Sequence, residues 1–297
     1  MTAADRSAGQ CVLMLSCPDT PGIVYAVAGF LFDRQCTIVQ SRQFHDPDSH
    51  TFFMRVQFAH AGGLALPVPD LRRDFADVAS RFGMTWRLGD ADEKQRVLIM
   101  VSKFGHCLND LLYRDSVGEL NLDVAAVVSN HPDLAPLADN YGVPFRHIPV
   151  TPGTKPEAEV RLLEIVQNER IDLVVLARYM QILSPELCKH LEGRAINIHH
   201  SMLPSFKGAR PYQQAYERGV KLVGATAHYV TADLDEGPII DQQITRVDHS
   251  LSADEFVALG REVECRALAR AVRWHTENRV ALNGHKTVVL HLSLIHT

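Results

Sequence analysis

The sequence predicts an α/β protein of two units, on three observations. Apolar runs and helical spacing in residues 8–90 follow the order β-α-β-β-α-β, which is that of a split, ferredoxin-like sandwich. The stretch GDADEKQ that closes this region is short, charged and free of apolar anchors, as a linker is. Beyond it, strands written as unbroken Val/Ile/Leu runs alternate with helices, the pattern of a Rossmann-like, mostly parallel sheet covered on both faces. The first unit is therefore placed at residues 8–90, the linker at 91–95 and the second unit at 96–283, with a tail at 284–297 of uncertain status.

Each element has a local reason. CVLMLSCPDTPGIVYAVAGFLFDRQCTIVQ opens as an apolar strand, turns through Pro18 and Gly22, and continues as a segment of helical length before β-branched residues return at Thr37–Val39. Thr20 and Pro21 are suited to cap and start that helix. TFFMRVQF reads as an alternating, half-buried strand with one wet face. In DLRRDFADVASRFG the residues Leu71, Phe75, Val78 and Phe82 recur at steps of three and four, predicting an amphipathic helix, and MTWRL closes the unit as a strand. In the second unit RVLIMVS, LDVAAVVSN, FRHIPV, IDLVVLA and AINIHH are the strands, and KPEAEVRLLEIVQNER is a long helix. The tail HKTVVLHLSLIHT shows no turn logic and reads either as a late strand or as a segment foreign to the fold.

Bulk properties exclude several classes. With 30 Lys+Arg against 35 Asp+Glu the net charge is −5, and no basic patch with interleaved aromatics offers itself to nucleic acid. No apolar run is long enough to span a membrane and the N-terminus lacks a secretory pattern, so a cytoplasmic protein is expected. The six cysteines are scattered without a CxxC pair, which predicts reduced, mostly buried thiols and neither a zinc site nor a disulfide framework.

The chemistry concentrates in AINIHHSMLPSFKGARPYQQA. In an extended segment Asn197 and His199 project to one face while Ile196 and Ile198 turn into the core, at the carboxyl end of a strand where such sheets carry their sites. An amide donor beside an imidazole suits addition to a carbonyl, the amide holding an oxyanion and the ring moving a proton. The same pair could equally satisfy local backbone groups at a strand end. His199 and His200 face opposite ways and have no carboxylate at ligand spacing, so no metal is expected. Asp235, in DLDEGP, reads either as a turn residue or as the carboxylate that fixes an imidazole's tautomer.

AINIHHSMLPSFKGARPYQQA followed by GATAHYVTADLDEGPIIDQ resembles the folate-dependent formyltransferase family, with its Asn-x-His, Leu-Pro-x-(Phe/Tyr)-x-Gly and Asp-x-Gly-x-(Ile/Val) motifs in order; the likeness covers roughly residues 95 to 282. The resemblance implies that Asn197 and His199 contact a formyl group and that Asp235 holds His199 or a water. LARYMQILS is similar to the family's pterin-binding loop, which implies that Tyr179, Met180, Gln181, Ile182 and Leu183 line a folate pocket, with the loop carrying Asp233 opposite. The alternative, that Met180, Ile182 and Leu183 plug the core, is compatible with it. No cofactor is implied, because 10-formyltetrahydrofolate would itself be the substrate.

The acceptor separates the possible reactions. Family members that formylate a nucleotide carry a Gly/Ser-rich phosphate loop after the first strand of this unit, whereas VSKFGHCLNDLL has a single Gly105 between Phe104 and His106. Water is then the expected acceptor, giving formate and tetrahydrofolate for one-carbon and purine metabolism, with either His199 or Asp235 as base. The alternatives are transfer to a small amine or sugar nucleotide and, more distantly, a noncatalytic amino-acid or folate sensor. CPDTPGIVYAVAGFL resembles the entry to ACT-type regulatory modules, which implies a homo-oligomer, dimer or tetramer, and an amino-acid effector near Asp19. Neither a nucleic-acid nor a membrane partner is expected.

Overall fold

A computed structural model describes residues 9–203 and 211–291. Contacts divide the chain into two compact units: one comprises the chain up to Glu93 with Glu277–Asn283 and the residues from Thr287, the other Lys94–Thr276 with Gly284–Lys286.

The first unit begins β1 (Gln10–Pro18), α1 (Ile23–Phe32), β2 (Cys36–Asp46), β3 (Thr51–His60), α2 (Val68–Phe82), β4 (Thr85–Asp90). Its sheet has the order β2-β3-β1-β4 with every pair antiparallel. Leu71, Phe75 and Ala79 of α2 and Ile23, Val27, Phe30 and Leu31 of α1 bury against Leu13, Leu15, Met54 and Phe58, so helical and two-residue periodicities meet in one core. The α1 helix starts later than Thr20 and Pro21 suggest. Gly22 holds the N-cap position at φ 97, with no side-chain cap, because Pro21-Gly22 completes a turn that only glycine adopts freely before helical geometry begins at Ile23.

A second correction concerns β3, whose residues Phe52 to Val56 are all buried instead of alternating. The face expected to be wet is covered from the far end of the chain. After residue 276, β12 (Val280–Asn283) and β13 (Lys286–Val289) form a two-stranded hairpin, and Leu290 packs with Ala281 and Val288 on Met14 and Phe53. Asn283-Gly284, with Gly284 at φ 58, is a short hairpin signal. Arg55, on that covered face, donates from Nε and Nη2 to the Glu277 carbonyl and from Nη1 to Gln40. Residues 277–283 thus belong to the first unit, not to the second as the 96–283 boundary has it, and the described part of the tail is part of the fold. Residues 292–297 lie outside the described part.

The second unit runs β5 (Gln95–Val101), α3 (His106–Ser116), β6 (Leu122–Ser129), α4 (Ala135–Asn140), β7 (Phe145–His147), α5 (Lys155–Asn168), β8 (Leu173–Leu176), α6 (Pro185–His190), β9 (Ala195–His199), α7 (Pro211–Arg218), β10 (Leu222–Tyr229), β11 (Ile239–Arg246), α8 (Ala253–Thr276). The sheet order is β11-β10-β9-β8-β5-β6-β7, parallel from β9 to β7 and antiparallel at β10 and β11. The parallel strands are buried on both faces, as in Leu98, Ile99, Met100 and Val174, Val175, Leu176, which is why they read as continuous apolar runs. No helix among the described residues is long and apolar enough to cross a membrane. All six cysteines are free thiols.

Candidate active site

The carboxyl ends of β8 and β9 open on a cavity of about 340 Å³ in the second unit. Ile196 and Ile198 are buried in the core, and the alternate residues Asn197 and His199 line the cavity. Antiparallel pairing with β10 sets His228 opposite Asn197 and Thr226 opposite His199. Asp235 arrives from the loop after β10 and has a left-handed backbone, φ 58. Gly237 makes that loop possible: a Cβ there would stand 1.7 Å from the Tyr229 carbonyl oxygen, at the point where the Tyr229 N–H donates to Pro238 O.

The structure brings Asn197, His199 and Asp235 together. His199 Nδ1 lies 3.2 Å from Asp235 Oδ1, and the buried His199 Nε2 makes no hydrogen bond among the described residues. A carboxylate accepts only, so Nδ1 carries the hydrogen and Nε2 is the ring atom left for chemistry. Burial pushes the Asp235 carboxyl up, but the hydrogen bond from His199 and the proximity of the His199, His228 and His200 rings outweigh it and hold the group below its ordinary range.

His228 fixes the amide. Its Nδ1 lies 2.8 Å from the Tyr229 carbonyl and must donate to it, which leaves Nε2 as an acceptor 3.2 Å from Asn197 Nδ2. Burial lowers the affinity of this ring for a second proton, so the neutral tautomer persists. One Asn197 N–H therefore donates to His228 and the amide plane is set. His228 was not singled out in the sequence, since it reads as one polar position in the strand GATAHYV; the antiparallel register reveals it.

The loop residues Tyr179, Met180, Gln181, Ile182 and Leu183 all line the same cavity, and Asp233 lines it from the facing loop. Leu183 is also core, 8% exposed, whereas Met180 and Ile182 are 53% and 59% exposed and do not plug the interior. The loop is tied down at its start: the Met180 N–H donates to Ser102 Oγ, which donates to Asn130 Oδ1. Burial pushes the Tyr179 phenol up to about 12, so it stays neutral.

Beneath the cavity a buried polar cluster surrounds Glu264 of α8, which was also missed. Glu264 Oε2 lies 2.7 Å from His106 Nε2, Oε1 accepts from Tyr212 Oη at 2.9 Å, and Arg178 Nε is 3.4 Å from Oε2. Burial would raise this carboxyl, but the His106 hydrogen bond and the Arg178 charge prevail and lower it. Among the described residues His106, Cys107 and Glu264 lie at metal-ligand separations; His106 and Glu264 are hydrogen-bonded to each other, and the neighbouring Cys265 thiol together with burial pushes the Cys107 thiol well up. Gly105 is there for packing: a Cβ would stand 2.9 Å from Leu134 Cδ2, so α4 abuts the turn at which a phosphate loop would open.

Two residue expectations fall elsewhere. Asp19 sits in the first unit, where Oδ2 meets His45 Nδ1 at 3.0 Å. Residues 204–208 of the Leu-Pro-x-Phe-x-Gly motif lie outside the described residues.

A Rossmann-like sheet with an Asn-x-His strand end and a carboxylate delivered by the loop after the neighbouring antiparallel strand β10 defines the formyl transferase class, and residues 95–272 match the family described as Formyl transferase. A formyltetrahydrofolate deformylase from Corynebacterium sp. (strain P-1) is 55% identical over 94% of this chain and 97% of its own length. The crystal structure of a formyltetrahydrofolate deformylase from Burkholderia mallei superposes with a TM-score of 0.91 at 53% identity, covering 95% of this chain and 100% of that one. Glycinamide ribonucleotide transformylase 1 from Symbiobacterium toebii gives a TM-score of 0.63 at 31% identity and covers 67% of this chain and 95% of that one. The chain belongs to the formyltetrahydrofolate deformylase family.

Proposed function

We propose that this protein hydrolyses 10-formyltetrahydrofolate to formate and tetrahydrofolate, with Asn197, His199 and Asp235 as the catalytic residues. The observation that carries the assignment is the His199–Asp235 contact of 3.2 Å, which leaves His199 Nε2 as the one ring nitrogen free to exchange a proton in the cavity. His199 Nε2 takes a proton from water as the water oxygen bonds to the formyl carbon. The negative charge that develops on the formyl oxygen is met by the Asn197 N–H not donated to His228. On collapse the protonated Nε2 returns its proton to N10, the C–N bond breaks, and formic acid leaves and ionises in solution. Asp235 remains a carboxylate throughout, orienting the ring and stabilising its cationic form. Tyr179–Leu183 and Asp233 bind the pterin, and the chemistry uses no cofactor or metal.

The same triad would serve transfer to an amine, so the acceptor is decided by what else the site holds. The packing of Leu134 against Gly105 supports water over a nucleotide. Incubating the enzyme with 10-formyltetrahydrofolate alone tests the choice: formate and tetrahydrofolate must appear in equal amounts without an added acceptor, and a strict requirement for an amine would reject the reading.

The first unit is assigned as an ACT-type regulatory module that self-associates and binds an amino acid. Its support is the βαββαβ order, the strand β2 at the edge of the sheet among the described residues with Ile38, Val39 and Phe44 exposed, and Tyr25 and Phe32 exposed on α1. Sedimentation equilibrium and calorimetric titration with free amino acids test it; a monomer that gives no heat would reject it.

A further inference from the structure

Arg178 is the residue of the cavity whose presence the triad does not explain. It follows β8 with φ 66, a left-handed backbone that costs a side-chain-bearing residue about 1 kcal/mol or more and tends to persist where a site needs it. Its carbonyl is held by the Ser102 N–H at 3.2 Å, which fixes the direction of the side chain's departure. The side chain is only 10% exposed and lines the cavity that Asn197, His199 and Asp235 line.

Its donors are under-used. Nε and Nη1 are buried and make no hydrogen bond among the described residues, and the nearest carboxylate oxygen, Glu264 Oε2 at 3.4 Å, already engages His106 at 2.7 Å while Oε1 is taken by Tyr212. Phe104 offers a ring face 5.5 Å from the guanidinium and no acceptor. A buried guanidinium with idle N–H groups is costly unless an acceptor-rich anion uses them, and a planar carboxylate is the group its fork fits.

We propose that Arg178 binds the carboxylate of formate, the anion released when the formyl group is hydrolysed, and holds it beside the triad before it departs. The assignment rests on the hydrolytic reading above. The other carboxylates that could reach the cavity belong to the glutamate of the folate itself. Formate is favoured because Arg178 is largely buried and shares the cavity lining with His199 and His200, whose ring centroids lie 5.3 Å apart.

The test uses the full chain as wild type, R178M and R178K. Line broadening of ¹³C-formate reports binding without turnover, so it stands even if the wild type releases no formate from 10-formyltetrahydrofolate, which would sink the hydrolytic reading separately. Wild type should broaden the signal saturably where equal chloride does not compete, and R178M should weaken binding roughly tenfold or more. If R178M does not fold, R178K decides, because lysine keeps a charge opposite Glu264 while losing the fork, and several-fold weaker binding is expected. Equal broadening by wild type and a folded variant, or none by wild type, overturns the proposal. So does an R178M rise in KM for 10-formyltetrahydrofolate that vanishes with a formylated pteroate lacking glutamate, since that would place the glutamate carboxylate on Arg178.

Discussion

Asn197 Nδ2 and His228 Nε2 lie 3.2 Å apart on facing positions of the β9–β10 ladder. The chain of contacts runs from the Tyr229 carbonyl through a neutral imidazole to the amide, so the orientation of the oxyanion donor is decided three bonds away from the substrate. His228 is a positioning residue on this account. In His228→Leu the Asn197 amide loses its acceptor, and kcat should fall about 100-fold with KM for the formyl-folate changed little. His228→Gln restores an acceptor and should recover part of the loss, which steady-state kinetics would read; equal losses in both variants would contradict a positioning role.

Asp235→Asn tests the imidazole's partner. The amide can present Nδ2 to His199 and favour the wrong tautomer, so kcat should drop about 10³-fold or more while the fold is kept. Circular dichroism and single-turnover rates check both halves of that statement.

The pH dependence of stability has a specific source. Burial, aided by the Arg178 charge, pushes His200 down from 6.5 to about 4 in the folded chain, against the opposing pull of Glu264 and Asp235. The unfolded chain then binds the extra proton first, so stability is full above the unfolded value and is lost as pH falls from 6.5 towards about 4. Burial lowers His228 in the same direction. The urea midpoint should fall across that window, and His200→Gln should flatten the slope, His200's share being at most about 3 kcal/mol.

Gly237→Ala should be severe. Its Cβ would stand 1.7 Å from the Tyr229 carbonyl oxygen, so the loop carrying Asp235 must shift. A loss of more than about 3 kcal/mol in chemical denaturation, with turnover lost in whatever folds, is the expected outcome.

Leu290→Ala tests the tail. Leu290 closes over Met14 and Phe53, the latter 1% exposed, and its truncation should cost about 3 kcal/mol while leaving kcat at 25 °C unchanged.

The legible part of the site was the part encoded by local period. Asn197 and His199 share a face because strands repeat every two residues, and the parallel strands announced themselves through unbroken apolar runs. His228, Arg178 and Glu264 were not legible because each acquires its meaning from a partner set by strand register or helix packing far along the chain. The face of β3 that alternation predicts to be wet is dry for the same reason: the Leu290 that packs with Phe53 arrives from a hairpin that the alternation of β3 cannot report. Thr20 misled in the opposite sense, as a sound cap whose place was taken by the turn at Gly22.

The central claim is that His199, held by Asp235, adds water to the formyl carbon. Turnover of 10-formyltetrahydrofolate in H₂¹⁸O with no acceptor tests it most directly, with mass spectrometry of the formate. One ¹⁸O per formate from the wild type, and a rate reduced to near background in His199→Ala, is the predicted result. Formate without label, or unchanged turnover in His199→Ala, would contradict it.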